Sequence, residues 1–361
     1  MKYLDEYRDA GIVKEYLEKI HKLVNRPWSV MEICGGQTHS LVKNGIVDLL
    51  PEDVTMVHGP GCPVCVTSAE LIDKAVQIAL DEDSILCSFG DMLRVPGSSK
   101  SLQKAKAEGG DVRIVYSPLD AVNLALDQQD KNVVFFAVGF ETTAPVNALS
   151  VLQAKKLGLE NYLLLVSHVL VPPAMEALLE DEETRIDGFL AAGHVCTVMG
   201  TSEYIPVAEK YRIPIVVTGF EPVDLLKGLF SCIQQLEKGT YKLENQYKRV
   251  VKAQGNRKAR QLIEEVFEIS DRSWRGIGVL PNSGYSLREA YKQFNADARF
   301  ELKSKGGSAG NKCIAGEILK GLKKPVDCPE FRGSCNPENP LGAPMVSSEG
   351  ACAAYYNYRN V

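Results

Sequence analysis

From Trp28 to Thr218 the chain repeats one pattern eight times. A short apolar, β-branched run is followed by a helix-like segment, at intervals of about 20 to 30 residues. The runs are "WSVMEI", "DVTMV", "SILCSF", "RIVYS", "VVFFAV", "YLLLVS", "GFLAA" and "IPIVVT". Segments such as "AELIDKAVQIAL" and "APVNALSVLQAKKLG" lie between them. Strands alternating with helices at this interval predict α/β architecture with parallel sheets built from βαβ units. Two sets of four runs predict two similar α/β domains, residues 28–118 and 119–222. From residue 223 the rhythm stops: "VDLLKGLFSCIQQLEKG" and "ARQLIEEVFEIS" read as helices, and Gly, Pro, Ser and Cys dominate beyond 303. Residues 1–27 and 223–361 are therefore expected to form a third, mainly helical and loop-rich domain. A chain of 361 residues can support three such cores.

Composition narrows the function. Hydrophobic content of 45% and charged content of 24% are ordinary for a globular protein. A formal net charge of −5 gives no pull toward nucleic acid or an anionic membrane. "MKYLDEYRDAG" is charged from its second residue and does not read as a signal peptide. No apolar run approaches the roughly 20 residues that span a bilayer. A cytoplasmic location follows as the expectation. The basic stretch Lys248–Arg260 can meet an acidic partner or form a solvated helical face.

Ten cysteines are many for such a chain, and in a reducing compartment clustered cysteines point to metal or redox chemistry. Cys34, Cys62 and Cys65 lie early; Cys313, Cys328, Cys335 and Cys352 lie late. Cys34 opens "CGGQTHS" directly after the first run, and Cys62 and Cys65 follow the second within "HGPGCPVCVTSAE". In open parallel sheets ligand chemistry gathers beyond the carboxyl ends of strands, so both loops should open on one edge. Thr67 and Glu70 read as a capping box for the helix running to Leu80. That would put Cys65 just before a helix N-terminus, where the dipole favours thiolate. A redox-active or metal-handling pair, a zinc half-site and two buried thiols all remain open. The late cysteines are separated by 14, 6 and 16 residues, amid loop-rich, proline-containing flanks. Four thiolates at these spacings can hold an iron–sulfur cluster or zinc, or can be free thiols.

"CGGQTH", "HGPGCPVC", "GFETTAP", "HVLVPPAM", "GFEPVDLL" and "MVSSEGAC" together resemble the HypD family of nickel–iron (NiFe) hydrogenase maturation proteins, over about residues 28 to 353. The resemblance implies a metal-binding assembly scaffold with redox activity inside a complex. Its cargo would be the hydrogenase iron carrying two cyanides and one carbon monoxide, Fe(CN)2CO. It implies HypC as an iron-sharing chaperone, HypE as cyanide donor, and a third domain carrying a 4Fe-4S cluster. By that likeness Cys34 would contact the iron under assembly, and Cys62 and Cys65 would switch between dithiol and disulfide. Cys313, Cys328, Cys335 and Cys352 would bind the cluster, and His194 in "AAGHVCTVMG" matches a histidine the family needs. Two other classes remain alternatives: a stand-alone thiol–disulfide oxidoreductase, and a zinc-stabilised α/β ligand-binding module.

The remaining polar candidates have milder readings. His39 and His58 adjoin the cysteine loops and can serve iron or cyanide, or simply stabilise the loops. His168 follows a strand and can reach a cleft between domains, whereas His21 reads as solvent-facing. Glu141 and Glu221, in two Gly-Phe-Glu strings that follow strands, can cap a helix, orient a histidine or move protons. Glu349, in "SSEGAC", can sit by the cluster or link it to the redox pair.

Overall fold

A computed structural model describes residues 5–302 and 312–359. All eight runs are strands: β1 (Trp28–Glu32), β2 (Val54–His58), β3 (Ser84–Ser88), β4 (Val112–Ile114), β5 (Asn132–Gly139), β6 (Tyr162–His168), β7 (Gly188–Ala192) and β8 (Ile215–Thr218). Three further strands follow: β9 (Leu243–Asn245) and the pair β10 (Phe267–Trp274) and β11 (Gly278–Leu287). The first nine pair only in parallel, as two sheets ordered β2-β1-β7-β8-β9 and β4-β3-β5-β6. The α/β reading holds. Strands covered on both faces bury every residue, as β6 and β7 do, which is why β7 and the first five residues of β6 stand out as continuous apolar runs.

The division at residue 118 does not follow the strand pairing. β1 pairs with β7, Val30 opposite Gly188, and Ile33 N donates to Leu190 O at 3.2 Å. The first sheet therefore draws strands from both halves, and residues 84–168 supply the whole second sheet. Spacing along the chain reports that strands alternate with helices, but not which strands become neighbours. Gly188 also lets the helix Pro222–Glu237 approach, since a Cβ there would fall 2.5 Å from the Cys232 sulfur.

The expected third domain is likewise redistributed. The helix Ala10–Leu23 is capped by Asp9, whose side chain accepts from Ile12 N at 2.9 Å. It packs with Pro222–Glu237 over the first sheet, through Ile20, Leu225, Leu229 and Ile233. The second helix expected, through residue 270, stops at Val266, and Phe267 begins an antiparallel hairpin instead. Trp274 and Phe267 are buried while Glu268, Ile269 and Asp271 face outward, so the hairpin covers the sheets on one side only. Residues 312–359 are short helical turns and loops ending in the helix Ala351–Tyr358, which lies against the helix Gly35–Lys43. Of the expected third domain, residues 1–4, 303–311 and 360–361 lie outside the described residues. Among the described residues, no helix is long and apolar enough to cross a membrane.

Candidate metal and thiol site

β1 and β2 are adjacent, so the loops that leave their carboxyl ends share one edge. Gly59 N donates to Glu32 O, and Gly35 N donates to Gly61 O, each at 2.9 Å. These bonds lay the Gly59–Gly61 segment directly on Cys34, with no room for a side chain at Gly61. Cys34, Cys62 and Cys65 thus stand on one edge, as expected. Cys34 precedes the helix Gly35–Lys43, and all three thiols are buried.

β7 ends beside β1 and delivers His194 in the first turn of the helix Gly193–Met199. Its Nδ1 lies 3.7 Å from the Cys34 Sγ. Phe220, just past β8, stands with its ring centroid 5.2 Å from that of His194 and would touch any Cβ on Gly36. Burial pushes the Cys34 thiol well up and the His194 imidazole down to about 4. At neutral pH the pair is a thiol against a neutral imidazole.

The Cys62–Cys65 loop differs from expectation in detail. Cys62 caps a one-turn helix, Pro63–Val66, and its sulfur accepts from Cys65 N at 3.4 Å. Cys65 is inside that turn. Ser68, not Thr67, caps the helix Ala69–Ala79 by accepting from Leu71 N; Thr67 Oγ1 donates back to Pro63 O at 2.8 Å. Burial, followed by the Cys62 sulfur, Cys352 and Glu349, raises Cys65 well above an ordinary thiol. The expected thiolate stabilisation is therefore overturned: a single turn has little dipole, and desolvation outweighs it.

Cys313, Cys328, Cys335 and Cys352 act on one another. Burial raises Cys352 first, and then the charges of Cys313, Cys335 and Cys328. Ile318, Met345, Ala351 and Ala353 form an apolar shell beside Cys335 and Cys352. Gly342 cradles Cys313, and Leu341 N donates to the Cys335 Sγ at 3.4 Å. Among the described residues, no three His, Cys, Asp or Glu side chains are gathered closely enough to hold a single metal ion. Four cysteine thiols are a donor set that either a zinc ion or an iron–sulfur cluster would take.

The other candidates separate clearly. His58 has both nitrogens engaged, Nδ1 with Glu32 Oε1 at 2.5 Å and Nε2 with Tyr355 OH at 3.0 Å, so it braces the loops and is no iron ligand here. His39 bonds Ser348 O through Nδ1 at 3.0 Å. His168 is fully buried against Phe267 and Tyr285 rather than in an open cleft, and burial lowers it to about 3. His21 contacts Leu49 O at the surface. Glu141 does cap a helix: Val171 N donates to it at 2.9 Å. Glu221 instead pairs with Arg8, so the two Gly-Phe-Glu strings have different roles. Glu349 turns its carboxyl toward Gly35 and acts on both Cys34 and Cys65. In the basic stretch, Arg249 pairs with Asp224, and only Arg257 onward is helical.

Sequence reading passed over Glu32, Tyr355 and Phe220. Glu32 had a signal, a carboxylate inside an apolar strand, which must be bonded if buried. Thr38 Oγ1 donates to it at 2.7 Å.

Residues 11–359 match the model of the HypD family, described as the hydrogenase formation hypA family. A hydrogenase expression/formation protein HupD of Azotobacter chroococcum is 47% identical, covering 99% of this chain and 97% of its own. The hydrogenase maturation factor HypD of Azotobacter vinelandii is 47% identical with the same coverage. That of Escherichia coli is 45% identical, covering 99% of this chain and 98% of its own. With the family's match spanning the strands, the cysteine loops and the C-terminal segment alike, this chain belongs to the HypD family of hydrogenase maturation factors.

Proposed function

We propose that the chain serves hydrogenase maturation as the scaffold on which iron receives two cyanides and one carbon monoxide. The iron is cargo. Cys34 supplies one thiolate to it, and HypC supplies another while HypE delivers cyanide. Thiolates suit this iron, being soft and electron-rich enough to support cyanide and carbon monoxide. His194 takes the Cys34 proton as the metal binds. Cys62 and Cys65 cycle between dithiol and disulfide. Cys313, Cys328, Cys335 and Cys352 hold a 4Fe-4S cluster in the C-terminal segment, and such a cluster supplies single electrons when bound. Free thiols throughout the described residues suit a reducing cytoplasm.

The observation that carries this reading is the meeting of two cysteine loops on one edge: the Cys34 sulfur 3.7 Å from His194 Nδ1, Gly35 N donating to Gly61 O, and the Cys65 amide donating to the Cys62 sulfur at 3.4 Å. A stand-alone oxidoreductase acting on diffusible proteins exposes its attacking sulfur. Cys62 and Cys65 are only 3% and 1% exposed, which favours a partner within a complex over that alternative.

The test is infrared spectroscopy of the HypC-bound protein isolated without oxygen. Cyanide and carbon monoxide stretches are expected in the parent and absent in Cys34→Ala. Stretches that persist in Cys34→Ala would remove the iron-ligand role.

A further inference from the structure

The carboxyl edge of the first sheet presents one side chain per strand, in spatial order. Cys34 follows β1, His194 follows β7, Phe220 follows β8 and Tyr247 follows β9. The last three make a row of rings. His194 and Phe220 have centroids 5.2 Å apart and are tilted at 48°, and Phe220 meets Tyr247 edge-on, at 6.4 Å and 90°. Both spacings suit attractive ring contacts, which span roughly 4.5–7 Å. The row is packed without slack. A Cβ on Gly193 would fall 2.5 Å from Tyr247 Cδ1, and one on Gly219 2.8 Å from its Cε2. These glycines immediately precede His194 and Phe220, so the Tyr247 ring lies against the main chain that delivers both.

The row ends at the border of its sheet, since among the described residues no strand lies beyond β9. Something must keep Tyr247 from swinging outward. Its amide donates to Asn245 Oδ1 at 2.8 Å, and Val250 N and Val251 N donate to its carbonyl at 3.0 and 2.9 Å. That turn brings Arg249 onto the ring. The guanidinium carbon stands 4.5 Å from the Tyr247 centroid and 3.7 Å from that of Tyr7. Its Nη1 and Nη2 donate to the two oxygens of buried Asp224 at 2.7 and 2.6 Å, a two-pronged grip that fixes direction as well as distance. Among the described residues the Tyr247 hydroxyl makes no hydrogen bond, so the ring itself is what the row uses.

We propose that Tyr247 is a positioning residue: backed by Arg249, its ring sets where His194 and Phe220 stand beside the Cys34 sulfur and keeps that sulfur covered. The Cys34 sulfur is the group it serves, with His194 Nδ1 3.7 Å away and Phe220 against the neighbouring Gly36. The inference rests on the reading of Cys34 as the iron ligand, but its geometry can be tested apart from iron.

The full chain, purified without oxygen, is treated with iodoacetamide, and each cysteine is followed by the mass of its peptide. Tyr247→Ala is expected to raise the Cys34 rate about tenfold, through easier local opening of the ring row. Cys87, in the second sheet, and Cys232, against Gly188 at the opposite end of the first, should keep the parent's rates. Tyr247→Phe, which retains the ring, should match the parent at all three. An unchanged Cys34 rate in Tyr247→Ala overturns the inference. So does an equal rise at Cys34, Cys87 and Cys232, which would show a loosened fold, and so does Tyr247→Phe behaving like Tyr247→Ala. If Tyr247→Ala fails to fold, Arg249→Lys reads the same thiols, because it keeps the charge opposite Asp224 without the two-pronged grip. A rise confined to Cys34 is again expected, and no rise overturns the inference. In the iron-loaded complex, the cyanide and carbon monoxide stretches should shift in Tyr247→Ala and hold in Tyr247→Phe; stretches unmoved in Tyr247→Ala overturn the inference. A parent without such stretches overturns the iron reading, while alkylation still decides the role of Tyr247.

Discussion

Gly61 lies in main-chain contact with Cys34: a Cβ on Gly61 would fall 2.1 Å from the Cys34 amide nitrogen and 2.3 Å from its Cα. Neither atom can move without dragging the end of β1. Gly61→Ala should therefore lower stability by about 1–3 kcal/mol, the usual cost of forcing atoms into a packed interior. It should also part the two cysteine loops, so that iodoacetamide reaches Cys34 faster than in the parent. A urea midpoint and an alkylation rate both equal to the parent's would show that the contact has slack.

Two buried groups set an expected pH profile. Glu141 is raised to about 8 and His168 lowered to about 3, in each case mainly by burial. Between the ordinary carboxylate range and about pH 8 the folded chain holds a proton on Glu141 that the unfolded chain has lost. Stability from this group is thus full in acid and falls as pH rises toward 8. His168 acts oppositely: its unfolded imidazole takes a proton below about pH 6.5 that the folded one refuses. Stability falls there as pH drops. The two effects cancel between about pH 4.5 and 6.5, each being worth at most about 1.4 kcal/mol per pH unit. Glu141→Gln should keep the bond from Val171 and remove the alkaline loss. Urea unfolding at pH 6 and 8.5 reads this directly; a variant that loses as much stability as the parent over that interval would exclude Glu141 as the source.

The strands were legible because burial on both faces leaves few polar positions to blur them, β7 being the clearest case. Their pairing was not legible, because β1 finds β7 across the whole second sheet and local spacing carries no trace of that contact. The hairpin was hidden by its own exposure. "SDRS" in β10 is polar where it faces solvent, and the preceding helix pattern ran on into it. The cysteine loops announced themselves through Gly and Pro around sulfur, since only a chain forced into close approach needs so many. The bonds that fix those loops did not: His58 joins Glu32 to Tyr355 from the far end of the chain. Tyr247 carried no motif, and its role comes wholly from the rings and glycines it packs against.

The His58 bridge predicts how firmly the C-terminal helix is held. Tyr355→Phe leaves the buried His58 Nε2 without its partner at 3.0 Å. A buried polar atom left unmet costs about 1–3 kcal/mol. Because Tyr355 shares the helix Ala351–Tyr358 with Cys352, the same change should speed proteolysis after residue 312. Unchanged cleavage rates together with an unchanged urea midpoint would mean that water replaces the hydroxyl at no cost.

Gly342 and Gly333 both lie among the late cysteines, yet only one of them touches sulfur. A Cβ on Gly342 would sit 2.3 Å from the Cys313 Sγ, whereas one on Gly333 would meet only Glu330 O, at an ordinary 3.7 Å. If Cys313 is a cluster ligand, Gly342→Ala turns its sulfur away from the other three and should strip most iron and acid-labile sulfide from anaerobically purified protein. Gly333→Ala should retain them. The pair separates ligand loss from general loosening of the segment, because both substitutions add the same methyl group to the same loop-rich region. Iron retained at the parent's level in both variants would take Cys313 out of the ligand set. Iron lost from both alike would instead trace the effect to the fold of the segment, with no special place for Gly342.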